Sequence, residues 1–217
     1  MMLDKLLSRI SFIYNFLIFL FTNKYVNDFN IKNYLRVGNG LSNSLIYKNR
    51  YVIKIKNSIR ESTNRKVYNG SYDGCFFYDT VNKFKNEYDT LEKLYNMQLA
   101  PKPLYYNNNY LIIEYLDDTK TIAEYIESND DLNIFYELFN KINIIHTNDV
   151  FHGDLNLNNI LIDNKRNIYF IDFESSFLES MPFKEKEELE FKIFEEKMQR
   201  FYPKIYREYD ARIRKCY

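Results

Sequence analysis

The chain has 217 residues, of which 46% are hydrophobic and 28% charged, so it is long enough for one solid core or two small lobes. Lys plus Arg and Asp plus Glu balance at 30 each, so no basic excess indicates direct nucleic-acid binding. The two cysteines, Cys75 and Cys216, lie far apart in the sequence, which excludes a disulfide framework and favours a reducing, cytoplasmic compartment.

The first predicted element is an N-terminal helix within residues 1–30. Lys5 and Arg9 precede an apolar run from Ile10 to Phe21, which is shorter than the roughly 20 apolar residues that span a bilayer. No small-residue cleavage site follows the run, so we do not expect a signal peptide. Two interpretations stay open. The helix packs on the body of the protein, or residues 1–24 lie on the inner face of a membrane with their basic side chains near anionic headgroups.

Residues 31–116 predict a strand-rich half. The β-branched and aromatic runs "SLIY" and "YVIKI" read as two strands separated by the turn-like "KNR". Polar residues 57–79 read as a loop or an irregular insertion. Apolar residues at helical spacing predict a helix in "TVNKFKNEYDTLEKLYNM", which two prolines end, and "YLIIEYL" predicts a buried strand.

Residues 117–217 predict a helix-rich half. The segments "TIAEYIES" and "DLNIFYELFNKINIIHTND" have helical periodicity. A loop follows, and then two short strands, "ILI" and "IYFI", which the turn "DNKRN" joins. From Lys184 onward the pattern predicts a charged, amphipathic pair of helices that divides near Pro203.

The segment from Val150 to Ser176 contains the residues with the clearest chemistry. Asp154 follows a His-Gly pair, Asn159 comes five residues later, and Asp172 ends the second short strand. Because a tight turn brings the outer ends of two strands together, Asp172 should return close to Asn159. A carboxylate and an amide oxygen suit Mg²⁺ together with substrate phosphates. Asp154 is then available to accept a proton from an attacking hydroxyl group.

Phosphoryl transfer also needs a cation for the phosphates, and the first half of the chain offers one. Lys54 lies at the end of the predicted strand "YVIK", and Glu87 on the next helix is available to pair with it. Lys56 shares the predicted strand face with Lys54, and Glu92 of the same helix is an alternative to Glu87, so both assignments stay open. Gly38 and Gly40 offer backbone N–H groups for phosphate oxygens.

In this order the motifs resemble those of the protein-kinase-like phosphotransferases, from about Val37 to Phe173. The similar parts are a glycine-containing loop, "VIK", a helix glutamate, the hinge "IIEYL", "HGDLNLNN" and "IDFE". The resemblance implies an α+β, two-lobed kinase-like fold with an antiparallel-sheet N-lobe, a reduced helical C-lobe, and ATP and Mg²⁺ as cofactors. The implied roles are phosphate binding by Gly38, Gly40 and Lys54, orientation of the lysine by Glu87, backbone contacts to adenine from Glu114 to Leu116, proton acceptance by Asp154, and Mg²⁺ binding by Asn159 and Asp172.

Three positions depart from the pattern of conventional protein kinases. Gly153 replaces an arginine, Asn156 a lysine, and Glu174 the glycine after Asp-Phe. Only about 45 residues follow Asp172, without an Ala-Pro-Glu segment or room for the helices that dock peptides. These departures argue against an ordinary protein kinase and against regulation by activation-loop phosphorylation.

Two compact branches are more similar to this chain. The lipopolysaccharide sugar kinases of the 3-deoxy-manno-octulosonic acid kinase type resemble it in "HGDLNLNNIL" and imply a small-molecule or glycolipid acceptor, which is our main prediction. The small kinase of the tRNA threonylcarbamoyl-adenosine complex, close to the RIO kinases, resembles it in "HGDL" and the short C-terminal tail. That alternative implies an atypical Ser/Thr kinase or ATPase with a protein partner. Aminoglycoside- and choline-phosphorylating enzymes rank third because their helical half is larger.

An inactive, kinase-like scaffold protein is the alternative in which the chain is not an enzyme. Such a protein would have lost at least one of the four residues that the chemistry needs. All four positions are filled in this chain, by Lys54, Asp154, Asn159 and Asp172, and we therefore predict an active enzyme.

Overall fold

The protein is represented by a computed structural model. The residues that it describes are 2–24, 34–37, 43–57, 75–77, 83–177 and 181–212. The chain divides into two compact units. The first comprises Met1–Asp73, Phe77–Glu92 and Pro101–Asp117, and the second comprises Gly74–Phe76, Lys93–Ala100 and Asp118–Tyr217.

The first unit contains an antiparallel sheet and two helical segments. Its elements are α1 (Met2–Thr22), β1 (Tyr34–Val37), β2 (Asn43–Tyr47), β3 (Tyr51–Ile55), the larger part of α2 (Lys83–Tyr95), β5 (Pro103–Tyr106) and β6 (Tyr110–Glu114). The strands lie in the order β1-β2-β3-β6-β5. The strands pair antiparallel, which confirms the antiparallel sheet that the resemblance to kinases implies.

The predicted turn "KNR" joins β2 and β3. Lys48 and Asn49 have φ angles of 51° and 49°, which is the left-handed pair that a tight hairpin of this twist requires. The Arg50 N–H donates a hydrogen bond to the Tyr47 carbonyl oxygen at 3.0 Å. The turn fixes the register in which Ser44 faces Lys54.

One face of α1 packs on this sheet. Phe16 and Phe19 belong to the same buried cluster as the sheet residues, and Phe19 is fully buried. Asn15 Nδ2 donates to the Lys56 carbonyl oxygen at 3.1 Å, and the hydroxyl groups of Thr22 and Tyr110 lie 3.3 Å apart. Burial raises the pKa of Tyr110, and the hydrogen bond with Thr22 partly offsets this rise. The helix is therefore part of the core of the first unit.

The second unit is richer in helix. Its further elements are β7 (Thr119–Thr121), α3 (Ile122–Asn129), α4 (Ile134–Thr147), β8 (Ile160–Asp163), β9 (Ile168–Phe170), β10 (Ser175–Phe177), α5 (Phe183–Phe201) and α6 (Pro203–Arg212). Strands β7, β8 and β9 form one small sheet, and β10 pairs with β4 (Cys75–Phe77), of which Cys75 and Phe76 belong to this unit.

Local sequence signals explain the helices of the second unit. Thr121 and Glu124 form a capping box at the start of α3, because the Thr121 hydroxyl accepts from the Glu124 N–H and the Glu124 carboxylate accepts from the Thr121 N–H. Helices α4, α5 and α6 meet through aromatic side chains, with ring centroids of Phe139 and Phe194 6.2 Å apart and those of Phe135 and Tyr209 5.0 Å apart. The predicted division of the last two helices at Pro203 is confirmed.

The sequence patterns miss three of the short strands. Residues 57–79 read as irregular, yet β4 forms within them, and β7 and β10 are also unpredicted. Each has three residues, too few for an alternating pattern to stand out from a loop. Residues 58–74 and 78–79 of the predicted insertion, together with Gly38 and Gly40, lie outside the described residues.

Candidate active site

The hairpin of β8 and β9 brings the ends of the motif together. Ile160 pairs with Phe170, and the Ile171 N–H donates to the Asn159 carbonyl oxygen at 3.0 Å. Asn159 immediately precedes β8, and Asp172 is the neighbour of Ile171. The backbone around Asn159 and Asp172 therefore converges as the strand-turn-strand pattern predicts.

The loop before β8 is held by its own amide side chains. Asn159 Nδ2 donates to the Asp154 carbonyl oxygen at 3.1 Å and to Asp154 Oδ2 at 3.3 Å. Asn156 Nδ2 donates to the same carbonyl oxygen at 2.9 Å. With its nitrogen engaged on Asp154, the Asn159 side chain keeps its amide oxygen for another ligand, which is the atom that a magnesium ion would use.

Two residues of the motif have left-handed backbone. Gly153 and Asp172 both have a φ angle of 71°. Gly153 adopts this angle without cost, whereas any side chain with a Cβ atom would be disfavoured there by about 1 kcal/mol or more. Asp172 bears that cost itself, as residues at functional sites often do. The glycine that replaces the usual kinase arginine thus has a conformational reason.

His152 supports the loop from behind and is fully buried. Its Nε2 donates to the Ile171 carbonyl oxygen at 2.9 Å, and its Nδ1 accepts from the Asp154 N–H at 3.3 Å. The ring stacks on Phe173, with centroids 4.6 Å apart. His152 therefore links the two halves of the motif through hydrogen bonds and packing.

A glutamate of α5 anchors the same loop, and sequence reasoning missed it. Glu190 is fully buried. Its Oε1 accepts from the N–H groups of His152 and Gly153 at 2.6 and 2.7 Å, and its Oε2 accepts from His146 Nε2 at 2.6 Å. A signal was present, since Glu190 lies at helical spacing from the apolar residues Ile193 and Phe194, which belong to the buried face of α5.

Lys197 of α5 is the second residue that the motif search did not find. Its Nζ donates to Asp154 Oδ1. The side chain is only 20% exposed, and that of Asp154 is 38% exposed. No sequence pattern points to this lysine, because the contact depends on how α5 packs against the loop.

In the first unit the structure brings Lys54 and Glu87 together. Lys54 Nζ donates to Glu87 Oε1, and both side chains are buried, at 7% and 0% exposure. Lys56 follows the end of β3. Its N–H donates to the Asn109 carbonyl oxygen, and its carbonyl oxygen accepts from Asn15 Nδ2. A lysine held by a buried glutamate in this way has the fixed position that a phosphate-binding cation would need.

Backbone hydrogen bonds of the sheet reduce the number of groups at Glu114 to Leu116 that could make the predicted contact to adenine. The Glu114 N–H donates to the Lys102 carbonyl oxygen and the Tyr115 N–H to the Arg50 carbonyl oxygen, both at 2.9 Å. A contact to adenine must therefore use the other backbone groups of this segment.

The residues present fit a magnesium ion that a nucleotide helps to bind. Within the described residues, no group of three or more His, Cys, Asp and Glu side chains could hold a metal. One carboxylate at Asp172 and one amide oxygen at Asn159 suffice for Mg²⁺ when phosphate oxygens and water complete its shell. The site is thus suited to a metal that arrives with its nucleotide.

Comparison with known proteins supports the kinase-like assignment. The RIO domain family matches residues 51–191, which is well over half of the chain. The dual specificity protein kinase zak2 of Dictyostelium discoideum is 28% identical over 101 residues, covering 44% of this chain and 15% of zak2, so the chain spans a small part of that relative. Both agree with the predicted α+β kinase-like fold, and zak2 is by name a protein kinase, whereas neither points to the lipopolysaccharide sugar kinases. With the loop, the hairpin and the lysine–glutamate pair in place, the chain belongs to the RIO domain family.

Proposed function

We propose that the protein binds MgATP and transfers its γ-phosphoryl group to a hydroxyl group. The observation that carries this proposal is the convergence of Asn159 and Asp172 at the hairpin, with Asp154 hydrogen-bonded to Asn159. Lys54, which Glu87 holds, would bind the phosphates of ATP. When bound at Asn159 and Asp172, Mg²⁺ would neutralise charge on the phosphate oxygens.

The proposed reaction assigns the proton to Asp154. The acceptor O–H loses its proton to the carboxylate while its oxygen forms a bond to the γ-phosphorus. The bond from the γ-phosphorus to its bridging oxygen breaks, and ADP leaves with that electron pair. Asp154 Oδ2 is the oxygen on the side of Asn159. It would therefore be the base that faces the phosphoryl group.

Two conservative variants test these roles separately. With radiolabelled MgATP, Asp154→Asn should lower phosphoryl transfer by roughly 10²- to 10⁴-fold while nucleotide affinity changes little, because a base acts on the acceptor. Asp172→Asn should lose phosphoryl transfer and, in addition, the Mg²⁺-dependent part of nucleotide binding. Unchanged transfer by Asp154→Asn, in a protein whose wild type is active, would remove Asp154 from the mechanism.

The family match favours a RIO-like atypical kinase or ATPase over a sugar kinase, and we propose a protein as its partner. The match covers residues 51–191, and α5, Pro203 and α6 give the helix–Pro–helix pattern that suggested this branch. More specifically, we propose a function like that of the small kinase of the tRNA threonylcarbamoyl-adenosine complex. Phosphate release from MgATP that rises only when a purified complex of this kind is added would support it, and unchanged release would argue against it.

A glycolipid acceptor is the second candidate, and α1 is the observation that favours it. The face opposite Phe16 is apolar and open to solvent, with exposures of 53% for Ile10, 54% for Ile13, 65% for Tyr14 and 87% for Phe21. Exposed apolar and aromatic side chains on one helix face suit a membrane interface. No helix of the described residues is long and apolar enough to cross a membrane.

Point variants test this surface better than truncation, because α1 contributes Phe19 to the core. Phe21→Glu should reduce flotation with vesicles of anionic phospholipid, whereas Phe201→Glu, at an aromatic residue of α5 that is 59% exposed, should not. Transfer of label to lipid A-core glycolipid in the same preparation would identify the acceptor. Equal flotation of wild type and Phe21→Glu would exclude this face as a membrane contact.

A further inference from the structure

Lys197 lies beyond the residues that the family match accounts for. The match ends at residue 191, and Lys197 follows on the same helix, α5. Its ammonium group nevertheless contacts Asp154, the proposed base, at Oδ1. Among the described residues, no other lysine or arginine forms an ion pair with Asp154.

The contact belongs to a larger arrangement on one face of α5. Glu190 and Lys197 are seven residues apart, which places them two turns apart on the same face of a helix. The carboxylate of Glu190 accepts from the N–H groups of His152 and Gly153, and the ammonium of Lys197 holds the next side chain, Asp154. One helix face therefore positions three successive residues of the loop with charges of opposite sign.

We infer that Lys197 is a positioning residue for Asp154 in phosphoryl transfer, an inference that rests on the proposed function. The ammonium holds Oδ1, and Oδ2 is thereby directed towards Asn159, whose Nδ2 lies 3.3 Å away. Oδ2 is then the oxygen that receives the proton of the acceptor hydroxyl.

A plain surface ion pair is the competing explanation, and burial argues against it. Exposed pairs contribute about 0–1 kcal/mol to stability because both side chains are solvated and mobile. Lys197 is only 20% exposed, whereas the Lys184 and Glu188 pair on the same helix is 83% and 68% exposed with its atoms 3.9 Å apart. A base must lie within roughly 2.6–3.2 Å of the proton donor's oxygen, so fixing a partly exposed aspartate has a direct effect on rate.

Three variants measured with MgATP and water as acceptor test the inference. Lys197→Met should lower kcat for phosphate release by roughly 10- to 100-fold, part of what the base itself contributes, with KM for ATP changed by less than about twofold. Lys197→Arg should restore most of the rate because it keeps the charge. Lys192→Met, at an exposed lysine of the same helix, should match wild type in rate and in melting temperature.

A double-mutant cycle shows whether Lys197 acts through Asp154. In the Asp154→Asn background, Lys197→Met should cause no further loss of kcat, because the carboxylate that it positions is absent. Wild-type kcat for Lys197→Met, a faster rate, or losses that multiply in the double mutant would each overturn the inference. Wild-type protein that releases no phosphate from MgATP, either alone or with the partner complex, would instead overturn the proposed function, and the inference with it.

Discussion

Replacing Glu190 with glutamine removes a charge from beneath the Asp154 loop while preserving the shape of the side chain. The carboxylate is fully buried and accepts hydrogen bonds from His152 N, Gly153 N and His146 Nε2, at 2.6 to 2.7 Å. In Glu190→Gln the amide oxygen still accepts from the two backbone groups. His146 must then present Nε2 as an acceptor, which its other neutral tautomer allows.

The expected loss of stability follows from these three contacts. Hydrogen bonds to a charged group are each stronger than neutral ones by about 1 kcal/mol, so two backbone bonds predict a loss of roughly 2 kcal/mol for Glu190→Gln. Glu190→Ala leaves both buried N–H groups without an acceptor, at about 1–3 kcal/mol each, so a loss near 4 kcal/mol is expected. For a chain of this length these values correspond to falls in Tm of about 4–8 °C and about 8–16 °C.

Thermal melts followed by circular dichroism, with MgATP hydrolysis on the same samples, measure both effects. Glu188→Gln is the matched control, because its carboxylate is 68% exposed on the same helix and should change stability by less than about 0.5 kcal/mol. Glu190→Ala should have both a lower Tm and a lower turnover rate, because the Glu190 carboxylate no longer holds the loop of Asp154. If Glu190→Ala melts and turns over like Glu188→Gln, the loop is not held by this glutamate and the reasoning is refuted.

Three further predictions concern other parts of the molecule. Lys54→Met should weaken MgATP binding by roughly 10-fold or more in a fluorescent-nucleotide titration, and Lys56→Met should not, because a buried glutamate holds Lys54 in place; equal effects would reopen the choice. Arg166→Ala should cost about 1 kcal/mol in urea unfolding at neutral pH. The Arg166 hydrogen bond lowers the pKa of Asp131 from its ordinary 3.8, so this difference should shrink as the pH falls through the lowered pKa, and a pH-independent difference would contradict the pairing. Phe19→Ala should cost about 3–5 kcal/mol because Phe19 is fully buried, and a loss under about 1 kcal/mol would mean that α1 does not pack on the sheet.

The sequence predicts the long and strongly periodic elements of the fold. Helices α2, α4 and α5 carry apolar residues at helical spacing over 13 to 19 residues, and the β2–β3 hairpin is marked by its turn. The three-residue strands β4, β7 and β10 have no such period, whereas β9, which is equally short, is marked by the turn that joins it to β8. Such strands form because a segment that is distant in sequence lies beside them, as β4 lies beside β10. Local sequence patterns do not carry that information.

The residues of the candidate site likewise divide into those that local sequence patterns predict and those that depend on packing between elements. Asn159 and Asp172 could be paired from sequence because a short hairpin fixes where its ends lie. Lys54 and Lys56 could not be separated, because strand alternation gives both the same face, and it is the partner on α2 that distinguishes Lys54. Lys197 reaches the loop only through the packing of α5, 43 residues along the chain from Asp154.

The central claim is that Asp172 and Asn159 bind the magnesium ion of MgATP, and calorimetric titration of ATP with and without Mg²⁺ tests it most directly. For wild-type protein we expect Mg²⁺ to raise ATP affinity by about tenfold or more, a gain that Asp172→Asn loses and Asp154→Asn keeps. An equal gain for wild type and a folded Asp172→Asn variant, or the same affinity with and without the metal, would contradict the account.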